Sequence, residues 1–283
     1  MKDIREVKKV MIGQNAVDGA GVRLVRVFGY HDTKDLDPFL MLDAFDSSNA
    51  EDYVKGFPWH PHRGIETITY LVEGDIEHQD SLGHKGSILN GECQWMTAGS
   101  GIIHQEMPTP SERMLGVQLW LNLPAKYKMN PPQYRALSKS DIPVIEEGGS
   151  KVHIISGTYK GAYGSVDGDF VKALYLDVEL EPEAEWEAEL PIDDTVFVYI
   201  LEGEAAFGPK NRIVPEKRAI LFEQGSHFQA NALHNGVRFL LLSAKPLKEP
   251  IAWGGPIVMN TQKELELAFQ ELDEGTFIKD ADL

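Results

Sequence analysis

Cysteine is almost absent from this 283-residue chain: Cys93 is the only one. No intrachain disulfide can form, and a reducing compartment suits the sequence. Nothing near Cys93 suggests a catalytic thiol, so it reads as a small buried apolar residue. Basic residues are also scarce, 27 Lys and Arg against 44 Asp and Glu, for a formal net charge of −17. With no basic stripe to displace counterions, contact with nucleic-acid phosphates is excluded as a mode of action, and an anionic membrane surface is disfavoured. The acidity itself reads as solubility. No apolar run approaches the roughly 20 residues that span a bilayer. The first residues, Met1-Lys2-Asp3-Ile4-Arg5-Glu6, are charged where a signal peptide needs an apolar core. These absences predict a soluble cytoplasmic protein.

What is present is a chain long enough for two domains, with an ordinary 42% of hydrophobic and 25% of charged residues. Gly, Pro, Asp and Asn recur about every dozen residues and separate short β-rich runs. Val22–Phe28, Thr67–Val72, Gly116–Leu123, Val152–Ile155, Ala173–Leu180, Val196–Leu201 and Val237–Leu242 are examples. This rhythm predicts an all-β barrel or sandwich. One helix is predicted near the end: Thr261-Gln262-Lys263-Glu264 is a capping box, Leu265, Ala268, Phe269 and Leu272 follow at helical spacing, and Gly275 stands where a C-terminal cap belongs.

The chain also resembles itself. Thr69-Tyr70-Leu71-Val72-Glu73-Gly74-Asp75 parallels Val198-Tyr199-Ile200-Leu201-Glu202-Gly203-Glu204, and Gly116-Val117-Gln118-Leu119-Trp120-Leu121 parallels Gly236-Val237-Arg238-Phe239-Leu240-Leu241. Two matches in the same order predict duplicated β-domains. The breaker-rich stretch from Met129 to Ser150 is the candidate seam, and the expected domains are residues 1–135 and 136–283. Carrying the first offset back, His60 and His62 map onto Glu189 and Pro191. A metal site, if there is one, belongs to the first half.

The pairs His60-Pro61-His62 and His104-Gln105-Glu106 carry the chemistry. Residues i and i+2 of a strand project to one side, so each pair offers two donors to one point. Three imidazoles and a carboxylate suit a first-row transition ion. Glu66 is a second candidate carboxylate, but four extended residues carry it roughly 13 Å from His62. It reads as a neighbour that braces the site, paired with Arg63, and it would ligate only if the chain bends sharply at Gly64. Gly99-Ser100-Gly101 precedes a β-type segment with no helix start, which argues against a nucleotide loop. His78 and His84 read as solvated loop or edge residues, and His31 beside Asp32 as part of a turn.

The run Phe57-Pro58-Trp59-His60-Pro61-His62-Arg63-Gly64-Ile65-Glu66-Thr67 resembles the first signature of the pirin family of the cupin superfamily. Gln94-Trp95-Met96-Thr97-Ala98-Gly99-Ser100-Gly101-Ile102-Ile103-His104-Gln105-Glu106-Met107-Pro108 resembles the second. Asp37–Asp43 and Gly255–Thr261 add further pieces, so the resemblance covers nearly the whole chain. It implies a double-stranded β-helix bicupin: two antiparallel cupin β-barrels with a short C-terminal helix, the second barrel lacking metal ligands. It implies His60, His62, His104 and Glu106 as the ligands, and Fe(II) as the usual metal, although Mn, Ni, Co, Cu or Zn suit the same donors.

Four such ligands leave two positions open on a six-coordinate ion, which suits catalysis. Quercetin 2,3-dioxygenase activity in the family implies an oxidoreductase that cleaves a flavonol-like aromatic substrate with O2. In that reaction Glu106 accepts the proton of the flavonol 3-hydroxyl. Phe57, Trp59, Trp95, Met107 and Trp120 are candidate walls for a flat substrate. The competing expectation is a non-enzymatic, metal-dependent regulatory protein, a redox-sensing co-regulator acting through a protein partner. A non-oxidative cupin reaction such as isomerisation is the third.

Overall fold

The computed structural model describes residues 3–279, and strands dominate it. Two compact units emerge. The histidine-bearing unit contains residues 14–33, 39–139 and 247 onward; the other contains the segment up to Gly13, residues 34–38 and 140–246. The passage between them at 139/140 lies close to the expected cut at 135/136, but both ends of the chain differ from expectation. Each end has an apolar face to cover. Strand Val7–Ile12 pairs antiparallel with Arg218–Phe222, and its Val7 and Val10 pack on the core of the second unit. The tail buries Ile257, Met259, Leu265, Ala268 and Phe277, with Ile103 of the histidine unit packed against them.

The histidine unit has two principal sheets. The seven-stranded sheet runs in the order Gln133–Leu137, Cys93–Thr97, Ile65–Glu73, Met114–Asn122, Phe39–Ser47, Val22–Phe28 and Gln14–Asp18. The four-stranded sheet runs Phe57–His62, Ile102–Pro108, Ile76–Asp80 and Lys85–Ile88. They face one another, because Glu106 of the smaller sheet is hydrogen-bonded by Thr69 and Gln118 of the larger.

The second unit is built on one nine-stranded sheet. The segments that resemble each other take the same roles: Ile65–Glu73 pairs with Met114–Asn122, and Thr195–Phe207 with His227–Ala244. The parallel extends further. Phe57–His62 pairs with the strand that carries His104, as Glu185–Glu189 pairs with the strand that carries Phe228. Where the first unit keeps its histidines, the second has a plug of aromatic rings. Trp186, Phe207, Phe222, Phe228 and Phe239 are all buried, with Trp186 5.7 Å and Phe222 5.1 Å from Phe228 between ring centroids. Each such side chain stabilises the fold by about 1.5–3 kcal/mol through burial.

The C-terminal helix spans Gln262–Asp273. Its capping box forms as the sequence predicts: the Thr261 hydroxyl accepts the Glu264 amide at 3.2 Å, and the Glu264 carboxylate accepts the Thr261 amide at 2.8 Å. Gly275 follows with φ +71°, a conformation that only glycine adopts without strain. Leu265 and Ala268 are buried, while Phe269 stays 39% exposed. No helix among the described residues is long and apolar enough to cross a membrane.

Candidate metal centre

Strand pairing brings the first histidine pair to the third histidine. His104 lies directly across from His60, and Ile102 across from His62. Ring centroids are 4.8 Å apart for His60 and His62, 4.3 Å for His60 and His104, and 5.1 Å for His62 and His104. One nitrogen from each ring lies within 4.8 Å of the other two. A break in register between His104 and Glu106 offsets the glutamate from this set, leaving its Oε2 4.0 Å from His104 Nε2.

The other ring nitrogens of His60 and His62 are already committed. His60 Nδ1 is 2.8 Å from the carbonyl of Pro58, and His62 Nδ1 is 3.1 Å from that of Pro256. Donation to these carbonyls places the proton on Nδ1 and leaves each Nε2 lone pair free, the usual preparation of an imidazole ligand. His104 Nε2 is buried with no hydrogen-bond partner. A buried nitrogen without a partner costs about 1–3 kcal/mol, and a metal ion would satisfy it. The donor set therefore fits a transition ion.

Electrostatics favour the same state. Burial, with help from neighbouring His60, lowers the His62 imidazole to about 3 against a hydrogen bond to Pro256 that raises it. Burial, then His62, His60 and His78, hold His104 well below an ordinary histidine. These two rings are thus neutral near pH 7, as metal ligation requires.

Glu106 is clamped from the facing sheet. Gln118 Nε2 donates to Oε1 at 2.8 Å and to Oε2 at 3.0 Å, and the Thr69 hydroxyl donates to Oε1 at 3.2 Å. Sequence reading missed both partners: Gln118 stands out as a polar residue in the apolar run Val117–Leu121, whereas Thr69 shares its strand with Glu66 and Thr67 and carries no local signal. Glu66 accepts a hydrogen bond from Thr97 at 2.7 Å. It lies three positions from Thr69 on one strand and so projects to the opposite face. Arg63, the expected partner of Glu66, donates to Ser100 O at 2.6 Å, Glu271 Oε2 at 2.7 Å and Phe277 O at 2.8 Å.

Among the aromatic candidates, Trp120 meets His62 edge-on at 5.0 Å and Phe57 lies 6.4 Å from His60. Trp95 is buried in the core, whereas Trp59 is 49% exposed. His78 differs from expectation. It is buried in strand Ile76–Asp80, opposite Glu106, with its Nε2 2.5 Å from the Tyr134 hydroxyl. Its partner's pairing with Met96 follows from a strand 133–137 that the sequence reading did not assign. His84 does sit exposed at a turn, bonded to Asp80 at 2.8 Å, and His31 lies in a short 3-10 turn.

The second unit gathers His153, Asp177 and Glu179. Arg238 donates to both oxygens of Asp177, at 3.0 and 2.6 Å, and already supplies the positive charge there.

Comparison with known proteins extends this geometry to a family. The pirin model matches residues 21–121, and the model of the pirin C-terminal cupin domain matches residues 175–278. A pirin-like protein of Caulobacter vibrioides is 42% identical, with 97% of this chain and 99% of the relative covered. Human pirin is 38% identical over 95% of this chain and 92% of its own. The crystal structure of a quercetin 2,3-dioxygenase from Acinetobacter baumannii superposes with a TM-score of 0.89 at 33% identity, covering 98% of this chain and all of that one.

Proposed function

The chain belongs to the pirin family of cupins, and from that premise we propose that it is a mononuclear metal-dependent dioxygenase of flavonol-like substrates. The observation that carries this reading is the convergence of half-buried His60 with buried His62 and His104, the Nε2 of His104 having no hydrogen-bond partner. We assign these three residues and Glu106 as ligands, with Fe(II) as the first choice of ion. When bound, the ion supplies a Lewis-acidic centre that favours the ionised form of an enol or catechol oxygen and has room for dioxygen. The similarity to a quercetin 2,3-dioxygenase structure supports the substrate class.

The protein's own groups account for the rest. Trp120 forms an apolar wall beside His62 against which a flat aromatic ring packs. Glu106 is the proton acceptor: its two oxygens share one amide donor, so it can take up the 3-hydroxyl proton on one oxygen while Gln118 holds the other. The Gln118 carbonyl in turn receives the Trp120 indole N–H at 3.4 Å, which links the orientation of the wall to that of the carboxylate. Burial of Glu106 and His104 excludes bulk water from this proton transfer.

The test is aerobic incubation of metal-loaded protein with quercetin, following the loss of substrate absorbance and measuring carbon monoxide as product. Absence of turnover with iron, manganese, nickel, cobalt and copper would reject the dioxygenase reading.

A further inference from the structure

Aromatic rings continue outward from the metal centre beyond the wall that the substrate needs. His62 meets Trp120 at 5.0 Å, Trp120 meets Trp253 at 5.8 Å, and Trp253 meets Tyr30 at 5.7 Å between ring centroids. Exposure rises along the same path. His62 is 2% and Trp120 8% exposed, Trp253 is half-buried, and Tyr30 is 59% exposed. The packing that fixes Trp120 and Trp253 is apolar, from Leu40, Met41, Ile65, Met96 and Val258.

We infer that Trp120, Trp253 and Tyr30 form an electron-transfer path between the metal centre and a bulky, positively charged one-electron acceptor at the surface. The inference rests on the metal reading of His62 and adds an exchange partner to it. Transfer probability falls exponentially with the gap to be crossed, so rings in near contact outperform one long jump from a buried ion.

The hydrogen bonds suit the indoles to this task. Trp120 N–H donates to the Gln118 side-chain carbonyl and Trp253 N–H to the Gly255 carbonyl at 2.9 Å. Amide oxygens are poor bases, so an indole that transiently loses an electron keeps its proton and recovers unchanged when refilled. Tyr30 differs because it faces water: its phenol releases a proton to solvent on losing an electron and regains it on refilling. In the completed event one electron leaves the metal ion, one enters the acceptor, and all three side chains return to their starting state. The net charge of −17 draws a basic acceptor towards the protein.

The test uses full-length, iron(II)-loaded protein under anaerobic conditions with two oxidants. Ferricytochrome c is basic and too large to enter the barrel, whereas a small cationic cobalt(III) complex can approach the site through the partly exposed His60. Two variants carry the comparison, Trp253→Leu and the surface change Tyr30→Leu. The wild type is expected to reduce one haem per bound iron. Trp253→Leu should slow haem reduction about tenfold or more, a change of roughly 1.4 kcal/mol in barrier, with Tyr30→Leu slowing it less. Iron content and reaction with the cobalt complex should be unchanged in both. In metal-free protein, loss of the indole exciton couplet from the circular dichroism of Trp253→Leu would verify the contact with Trp120 without reference to iron. Equal rates of haem reduction in all three proteins overturn the path, as does a wild type that reduces cobalt but never the haem. Failure to bind iron at all overturns the metal reading and removes the path with it.

Discussion

Arg63 offers the sharpest test of how the metal barrel is held together. Its guanidinium is 2% exposed and satisfies three separate acceptors, the carbonyls of Ser100 and Phe277 and the carboxylate of Glu271. It also lies 4.1 Å from the centre of the Phe277 ring. Replacing it by alanine removes the guanidinium donor from two buried carbonyls, at about 1–3 kcal/mol each, and a cation–π contact of about 0.5–2 kcal/mol. Glu271 is less affected, because Lys279 remains at 2.8 Å and the carboxylate is 16% exposed. These terms overlap, and a buried pair broken from one side costs about 3–5 kcal/mol. The expected loss for Arg63→Ala is therefore about 3 kcal/mol, the lower end of that range.

Arg63→Lys should recover less than half of it, since a single ammonium cannot reach acceptors arranged around a planar fork. The assay is urea unfolding combined with limited proteolysis of the tail, which should become cleavable first. Because Arg63 adjoins His62, metal affinity should also fall by about 10–100-fold. A loss below about 1 kcal/mol in Arg63→Ala, or full rescue by lysine, would refute the reasoning.

Further outcomes follow from the centre and from its counterpart in the other unit. His62→Ala and His104→Ala should each abolish tight metal binding in a protein whose far-ultraviolet circular dichroism is unchanged; wild-type metal content in both would remove them as ligands. Gln118→Leu should lower turnover more than metal content, because it releases Glu106 from the Gln118 amide that spans both its oxygens; steady-state kinetics beside elemental analysis separates the two effects. The metal-free protein should lose stability on acidification. His62 titrates near 6.5 when unfolded and about 3 when folded, so below 6.5 the unfolded chain binds the extra proton, and about 4–5 kcal/mol is lost by pH 3. A His62→Asn variant should show a shallower decline in denaturant titrations, and equal slopes would contradict the assignment. In the second unit, Trp186→Ala should cost about 3–5 kcal/mol whether or not metal is present, since it empties the aromatic plug and deprives the Tyr159 hydroxyl of its indole donor at 2.9 Å; a metal-dependent loss in calorimetry would sink that view.

The site was legible in the sequence to the extent that its information is local. A strand period of two sets His60 beside His62 and His104 on the side of Glu106, and the family motifs name the same four residues. What braces them comes from far along the chain. The acceptor for His62 lies 194 positions away and the carboxylate that pairs with Arg63 lies 208 away. No periodicity encodes such distances, and local spacing alone pairs Arg63 with nearby Glu66. The two chain ends take their places through pairings of similar range. The Val7–Ile12 strand, Val7-Lys8-Lys9-Val10-Met11-Ile12, has no clean period-two pattern to say which sheet it joins, and only the pairing with Arg218–Phe222 decides. The polar neighbours of His78 suggest solvent, whereas its partner Tyr134 comes from a strand 56 residues on.

The return of the tail to the first barrel sets an order on biosynthesis. Chains fold as they leave the ribosome, amino-terminal parts first. His60, His62 and His104 are therefore made early, but the carbonyl of Pro256 that directs the His62 proton comes only after the whole second barrel has been synthesised. Glu271 and Phe277, which fasten Arg63, come later still. A nascent chain stalled before residue 256 would hold three histidines without the contact that fixes His62. If the proposed site takes a metal, the contact that prepares His62 for it would form only late in synthesis, and the unfinished barrel would be the stage at which a wrong ion could enter.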